Sequence, residues 1–272
     1  MESLDGWIDR VVLGERPILV ASDFDGTLAE IVEDRDRACL DDRARASLRA
    51  LSAAPGFHVA VLSGRSLIDL RSRLSGIATG ARDPLWVSSD HGAIVRDPSG
   101  ELETLVSDPP RTQHAALVER ARELAALFGG ARVEAKARSV ALHYRAVPAP
   151  KHAALTKAFR IACAAQRATV LDGRRVVEGC FGRADKGRAL SHILARLPAN
   201  VGVLYCGDDA TDEPAFAVAR QHPFGHALHV VSDERLTPSV DVNGWLARPA
   251  AWIDLLETLA SLATARRSRD AG

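Results

Sequence analysis

Asp23 and Asp25 stand two residues apart, just past the apolar run Ile18 to Ala21 and before Gly26-Thr27. Two carboxylates this close repel each other unless a cation or a shared proton intervenes. The pairing points to Mg²⁺, a hard ion that takes one or two carboxylates together with phosphate oxygens. Gly26 permits a sharp turn, and Thr27 offers a hydroxyl and a backbone N–H to an anion. Taken alone, Asp-x-Asp-Gly-Thr is more often a polar turn. A second acidic group, Asp208, Asp209, Asp212 and Glu213, follows another apolar run at 201–206, 185 residues after Asp23. Four carboxylates within six positions are costly unless solvated or metal-bound. As a helix start in water they would be unremarkable; beside Asp23 and Asp25 they make an acidic crevice for Mg²⁺ and phosphate. Ser63-Gly64-Arg65 adds a hydroxyl and backbone N–H groups at a helix start, a seat for phosphate or a plain serine N-cap, and the tripeptide alone favours the cap. His91-Gly92 follows a third strand, where a histidine serves a loop as readily as a site.

The elements that must position these residues alternate. Strands are expected at 17–22, 57–62, 85–89, 201–206 and 227–231, and helices at 3–13, 41–53, 66–74, 186–196, from Pro214 onward, and at 250–265. Asp41 or Asp42 caps the second helix, Pro55-Gly56 ends it, and the tail 266–272 is expected to fray. Strand–helix alternation implies a parallel sheet, with ligands beyond the carboxyl ends of its strands. The rhythm changes between 108 and 183. A helix at 112–128, strands at 131–136 and 139–145, a helix to 166 and strands at 168–172 and 175–179 read as αββαββ. The fold class is therefore α/β, a Rossmann-like parallel-sheet core (1–108 and 183–272) with an inserted α+β domain at 109–182.

Composition narrows the partners. The chain has 272 residues, 47% hydrophobic and 26% charged, with 35 basic and 35 acidic side chains. Zero net charge gives no field for nucleic acid. No stretch approaches the ~20 apolar residues of a membrane span, and no leader-like apolar run follows the acidic N-terminus. Cysteines 39, 163, 180 and 206 show no Cys-x-x-Cys spacing. They read as reduced and structural, in a cytoplasmic protein. Only four lysines occur, at 136, 151, 157 and 186, so each is more informative than any of the 31 arginines.

The stretches SDFDGTLAEI, LSGR and YCGDDATDEPAF resemble the motifs of haloacid dehalogenase (HAD) superfamily phosphatases. The resemblance implies that Asp23 is a nucleophile forming an aspartyl phosphate, and that Asp25 is the general acid/base. It makes Ser63 the second-motif hydroxyl, Lys186 the third-motif lysine and Asp208 a direct Mg²⁺ ligand. Asp23 and the Asp25 carbonyl complete the metal set, and Asp209 or Asp212 binds metal through water or holds Lys186. Thr27, Gly64, Arg65 and His91 are expected around the phosphate. The inserted stretch VEAKARSVALHYR, residues 133–145, is similar to the cap domain of the trehalose-6-phosphate phosphatase family, which implies a sugar-phosphate substrate, trehalose 6-phosphate or a related disaccharide phosphate. Glu134, Lys136, Arg145 and Glu178 are the substrate-binding residues it implies; without it, they read as a solvated outer sheet face. The family's Glu-x-Arg-Pro is replaced here by Glu178-Gly179-Cys180-Phe181, which bears on the hinge and on the choice of sugar.

Overall fold

The computed structural model describes residues 2–14, 16–32, 37–77, 84–107, 109–173, 175–182, 184–231 and 241–270. Residues 108 and 183, where the sequence places domain boundaries, lie outside these. The chain divides into two compact units, Met1–Leu105 with Asp185–Gly272, and Val106–Ala184.

The first unit opens with α1 (Leu4–Trp7), a π-type turn (Ile8–Val12), β1 (Ile18–Asp23), α2 (Asp42–Ala53), β2 (Phe57–Leu62), α3 (Leu67–Arg73), β3 (Leu85–Ser89), β4 (Ile94–Arg96) and β5 (Leu102–Thr104). The second unit contains α4 (Arg111–Leu127), β6 (Arg132–Ala135), β7 (Ser139–His143), α5 (His152–Ala165), β8 (Thr169–Gly173) and β9 (Val176–Cys180). The first unit resumes with α6 (Lys186–Leu194), β10 (Gly202–Gly207), α7 (Glu213–Gln221), β11 (Gly225–Val230), β12 (Gly244–Leu246) and α8 (Pro249–Asp270).

Eight strands form one sheet in the order β12-β11-β10-β1-β2-β3-β4-β5, parallel except for the pairings of β4 with β3 and β5. This is the expected α/β architecture. β1 is buried along its whole length and serves both faces. Ile18 and Val20 enter a core with Leu48 and Leu51 of α2 and Trp252 and Leu256 of α8. Leu19 and Ala21 enter the opposite core with Leu190 of α6 and Phe216 of α7, the period-two alternation of a strand covered on both sides. Asp41 caps α2, its carboxylate accepting from the N–H groups of Arg43 and Ala44. Three expectations need correction. The leading helix becomes α-type then π-type at Ile8. α8 runs on to Asp270 instead of fraying at 266. The sequence reading also missed β5 and β12, each three residues long with no fully buried position.

In the second unit the order β6-β7-β9-β8 is antiparallel throughout. Val140, Leu142 and Val177 pack on Leu117 and Leu124 of α4 and on Leu155 and Phe159 of α5. Register sets Glu134 opposite Ala141, Ala141 opposite Glu178, Arg132 opposite His143 and Ser139 opposite Cys180. Cross-strand partners share a face, so Glu134, Ser139, His143 and Glu178 all lie on the side away from the helices.

Candidate active site

Parallel pairing sets Asp23 beside Leu62 of β2 and Ser22 beside Cys206 of β10. The carboxyl ends of three neighbouring strands thus deliver Asp23, Ser63 and Asp208 to one edge of the sheet. Alternation turns Asp23 toward the face of Leu19 and Ala21, where α6 packs. Asp185 caps α6 by accepting from the N–H of Arg188 at 2.7 Å, so Lys186 is its first residue.

Lys186 Nζ lies 2.8 Å from Asp23 Oδ1 and 2.7 Å from Asp212 Oδ1, with its side chain only 2% exposed. Asp212 is wholly buried and saturated with donors. Tyr205 donates its hydroxyl to the same oxygen, and the N–H groups of Asp208 and Asp209 donate to the other at 3.1 and 3.0 Å. Asp212 therefore anchors Lys186, one of the two roles expected of it. Tyr205 was missed, because a tyrosine inside a buried strand reads as core. Thr27 donates its hydroxyl to Asp208 Oδ1 at 3.5 Å.

Carboxylate oxygens of Asp23, Asp208 and Asp212 all lie within 4.8 Å of one another, and all three residues are buried. Three carboxylates against one ammonium leave two negative charges uncompensated when all are ionised. Burial, then repulsion from Asp212, pushes the Asp23 carboxyl up to about 7 even though Lys186 pulls it down. Burial works to lower Lys186, but Asp212 and Asp23 prevail and hold it above the ordinary lysine range. Burial, then Asp212, keeps the Tyr205 hydroxyl protonated. A cluster of hard oxygens with excess negative charge fits a divalent cation. Asp23 and Asp208 could serve as direct ligands; both oxygens of Asp212 already accept hydrogen bonds. The carboxylates of Asp25 and Asp209 are not in this cluster. That of Asp209 takes part in a capping box with Asp212 and accepts from the N–H of Ala210.

Asp25 is instead gripped by Arg65, whose Nε and Nη2 donate to its two oxygens at 2.8 and 2.6 Å. Ser63 Oγ accepts from the N–H of Arg65 at 3.1 Å. Asp90, His91 and Gly92 take φ values of 51°, 55° and 96°, three consecutive left-handed residues. This turn is tied down by the N–H of Asp90 on Arg65 O and the N–H of His91 on Ser63 O, at 2.9 and 3.1 Å. His91 packs over Gly64, where an added Cβ would meet its ring at 2.2 Å. His91 is thus placed against the Ser63 loop.

On the sheet face of the second unit, Lys136 Nζ lies 2.9 Å from Glu178 Oε1, and Ser139 donates its hydroxyl to the same oxygen. His143 Nε2 lies 2.9 Å from Glu134 Oε2. Arg145 is exposed in the turn after β7. Ser139 and His143 were not among the expected site residues. Phe181, which stands where the family pattern has proline, is buried with its ring 5.9 Å from that of His114.

Residues 21–244 match the family model of trehalose-phosphatases. The chain belongs to the trehalose-phosphatase family. It is 40% identical over 225 residues to an uncharacterised glycosyl hydrolase of Mycobacterium tuberculosis, covering 78% of this chain but 16% of that protein. It is 33% identical over 201 residues to the trehalose-6-phosphate phosphatase of Escherichia coli K12, covering 73% of this chain and 72% of that protein. Among solved structures, the C-terminal domain of a C. albicans trehalose-6-phosphate phosphatase is similar in fold, with TM-score 0.80 and 19% identity over 94% of this chain and 95% of that one. Among the described residues, no helix of this trehalose-phosphatase family member is long and apolar enough to cross a membrane.

Proposed function

We propose that this chain is a Mg²⁺-dependent phosphoric monoester hydrolase that releases phosphate from trehalose 6-phosphate through an aspartyl phosphate on Asp23. The observation that carries the reading is Lys186, buried between Asp23 and Asp212 beside Asp208 at the carboxyl ends of β1 and β10. The relative from Escherichia coli supports the choice of substrate.

Asp23 and Asp208, with the Asp25 carbonyl, would hold Mg²⁺, which would offset the site's negative charge and draw in the phosphoryl group. Lys186, fixed by Asp212, which Tyr205 holds in turn, stands beside the attacking carboxylate and stabilises charge on both it and the phosphoryl oxygens. An Asp23 oxygen forms a bond to phosphorus as the bond from phosphorus to the sugar oxygen breaks. The departing electron pair stays on that sugar oxygen, which takes a proton from Asp25. Asp25 then accepts a proton from water as the water oxygen attacks phosphorus and frees Asp23. Thr27 and Ser63 offer hydroxyls to the phosphoryl oxygens, and Glu134, Lys136 and Glu178 serve the sugar hydroxyls from the cap sheet.

The test is phosphate release across trehalose 6-phosphate, sucrose 6-phosphate and glucose 6-phosphate, with Mg²⁺ and with EDTA. Trehalose 6-phosphate is expected to give the highest kcat/KM, and only with metal. Preference for another disaccharide phosphate would keep the mechanism and replace the sugar. No release from any of them would overturn the reading.

A further inference from the structure

Arg65 is among the largest fully buried side chains of the protein, and its position is over-determined. Its Nε and Nη2 engage both oxygens of Asp25, and its Nη1 donates to Asp69 Oδ2 at 2.5 Å. Asp69 is held in turn, its other oxygen accepting from Arg73 Nε at 2.9 Å, while its N–H donates to Ser66 Oγ at the start of α3. The main chain of Arg65 is pinned as well, its N–H on Ser63 Oγ and its carbonyl under the N–H of left-handed Asp90. Left-handed backbone at a non-glycine residue persists only where its surroundings enforce it. Main chain and side chain of Arg65 are thus both fixed, with the guanidinium against the Asp25 carboxylate.

A fork–fork pair fixes a plane as well as a charge. From this geometry we infer that Arg65 is the positioning residue for Asp25, acting on the leaving-group oxygen through that carboxyl group rather than holding phosphate itself. The guanidinium holds both oxygens and so fixes the plane of the carboxyl group that hands its proton to the sugar oxygen. Asp69 and Arg73 brace the far side of the fork. The inference rests on the reading of Asp25 as general acid.

Leaving groups separate these roles. A sugar alkoxide needs a proton as it departs, whereas 2,4-dinitrophenolate does not. The measurement is the first turnover, by rapid quench for trehalose and by absorbance for dinitrophenolate, because the later hydrolysis step uses Asp25 with either substrate. In Arg65→Met, first-turnover release from trehalose 6-phosphate is expected to fall by about 10-fold or more. Release from dinitrophenyl phosphate should stay within about threefold of the wild type, and inhibition by inorganic phosphate should be unchanged. Arg65→Met added to Asp25→Asn should slow the sugar substrate no further, since both act through one carboxyl. Arg65→Lys keeps the charge but loses the fork, and should fall between; Asp69→Asn should shift the substrate ratio in the same direction.

Equal losses on both substrates, with weaker inhibition by phosphate, would make Arg65 a phosphate ligand and overturn the inference. So would an unchanged substrate ratio in every folded variant. Should Arg65→Met fail to fold, Arg65→Lys and Asp69→Asn decide the question by the same ratio. Wild-type protein that turns over neither substrate overturns the reading of the site, and this inference with it. Wild-type protein that turns over both, with the sugar substrate indifferent to Asp25→Asn, removes the role on which Arg65 would act.

Discussion

Removing the Lys186 ammonium exposes how the site balances its charge. In Lys186→Met a side chain of similar length fills the space, but Asp23 and Asp212 lose a cation that lay 2.8 and 2.7 Å from their oxygens. At such a separation and an effective dielectric of about 20, each pair attracts by roughly 6 kcal/mol, much of it offset by desolvation. Breaking a buried pair by removing one partner costs about 3–5 kcal/mol, because the other charge stays buried. Asp23, already pushed up to about 7, can take a proton once the lysine is gone, so Asp212 is the charge left stranded and the cost is expected within that range. At about 2–4 °C per kcal/mol for a chain of this size, Tm should fall by about 10–15 °C. Urea and thermal unfolding in EDTA measure it. Adding Asp212→Asn removes that stranded charge and should restore about 1 kcal/mol or more. Activity should fall with it, by about 10²–10³ in kcat, as for other lost donors to a developing anion. A Lys186→Met protein destabilised by less than about 1 kcal/mol, with kcat within about tenfold of wild type, would refute both the buried pair and the catalytic role.

Asp208→Asn should raise the Mg²⁺ concentration needed for half-maximal activity by about 10-fold or more, because it weakens one of the two direct carboxylate ligands; an unchanged metal titration would remove Asp208 from the set. Glu178→Ala should lower kcat/KM for trehalose 6-phosphate by about 10-fold while sparing a small aryl phosphate, the pattern of a residue that binds sugar, and equal losses on both would assign it to folding. His226 is fully buried, and among the described residues neither ring nitrogen has a hydrogen-bond partner. Burial holds its pKa down to about 4 from 6.5. The folded state therefore refuses a proton that the unfolded chain takes, so stability is present above pH 6.5 and is lost as pH falls toward 4. His226→Leu should stabilise the protein at pH 7.5, and by up to about 2 kcal/mol more at pH 5; a gain that does not grow on acidification would show that His226 protonates in place.

Which parts of this protein could be read in advance depended on how local their cause is. β1 was legible because four apolar residues are followed by carboxylates, and the start of α2 because Asp41 caps it within three residues. β5 and β12 were not, since they are short and take their conformation from a neighbouring strand rather than from their own pattern. In the site, Asp23, Lys186 and Asp208 stood out by type and spacing. The partners of these groups did not. Tyr205 meets Asp212 only because the turn after β10 folds back on the strand. Lys136 meets Glu178 across an intervening strand, 42 residues away. Arg65 was one arginine among 31, and nothing in its neighbours names Asp25 as its target.

The order of strands in the first unit also sets a timetable. β1 is hydrogen-bonded on one side to β2 and on the other to β10, which begins at Gly202. During synthesis Asp23 emerges 163 residues before Lys186, a lag of about 10–30 s at roughly 5–20 residues per second. Through that interval Asp23 of β1 has neither its lysine nor the β10 neighbour, and one edge of β1 is open to pairing with another nascent chain. Val106–Ala184 is contiguous in sequence and meets no such delay. Ribosome-bound chains stopped short of residue 186 should therefore be aggregation-prone and silent as phosphatases, and the first turnover should mark the moment when the two distant halves of the sheet have met.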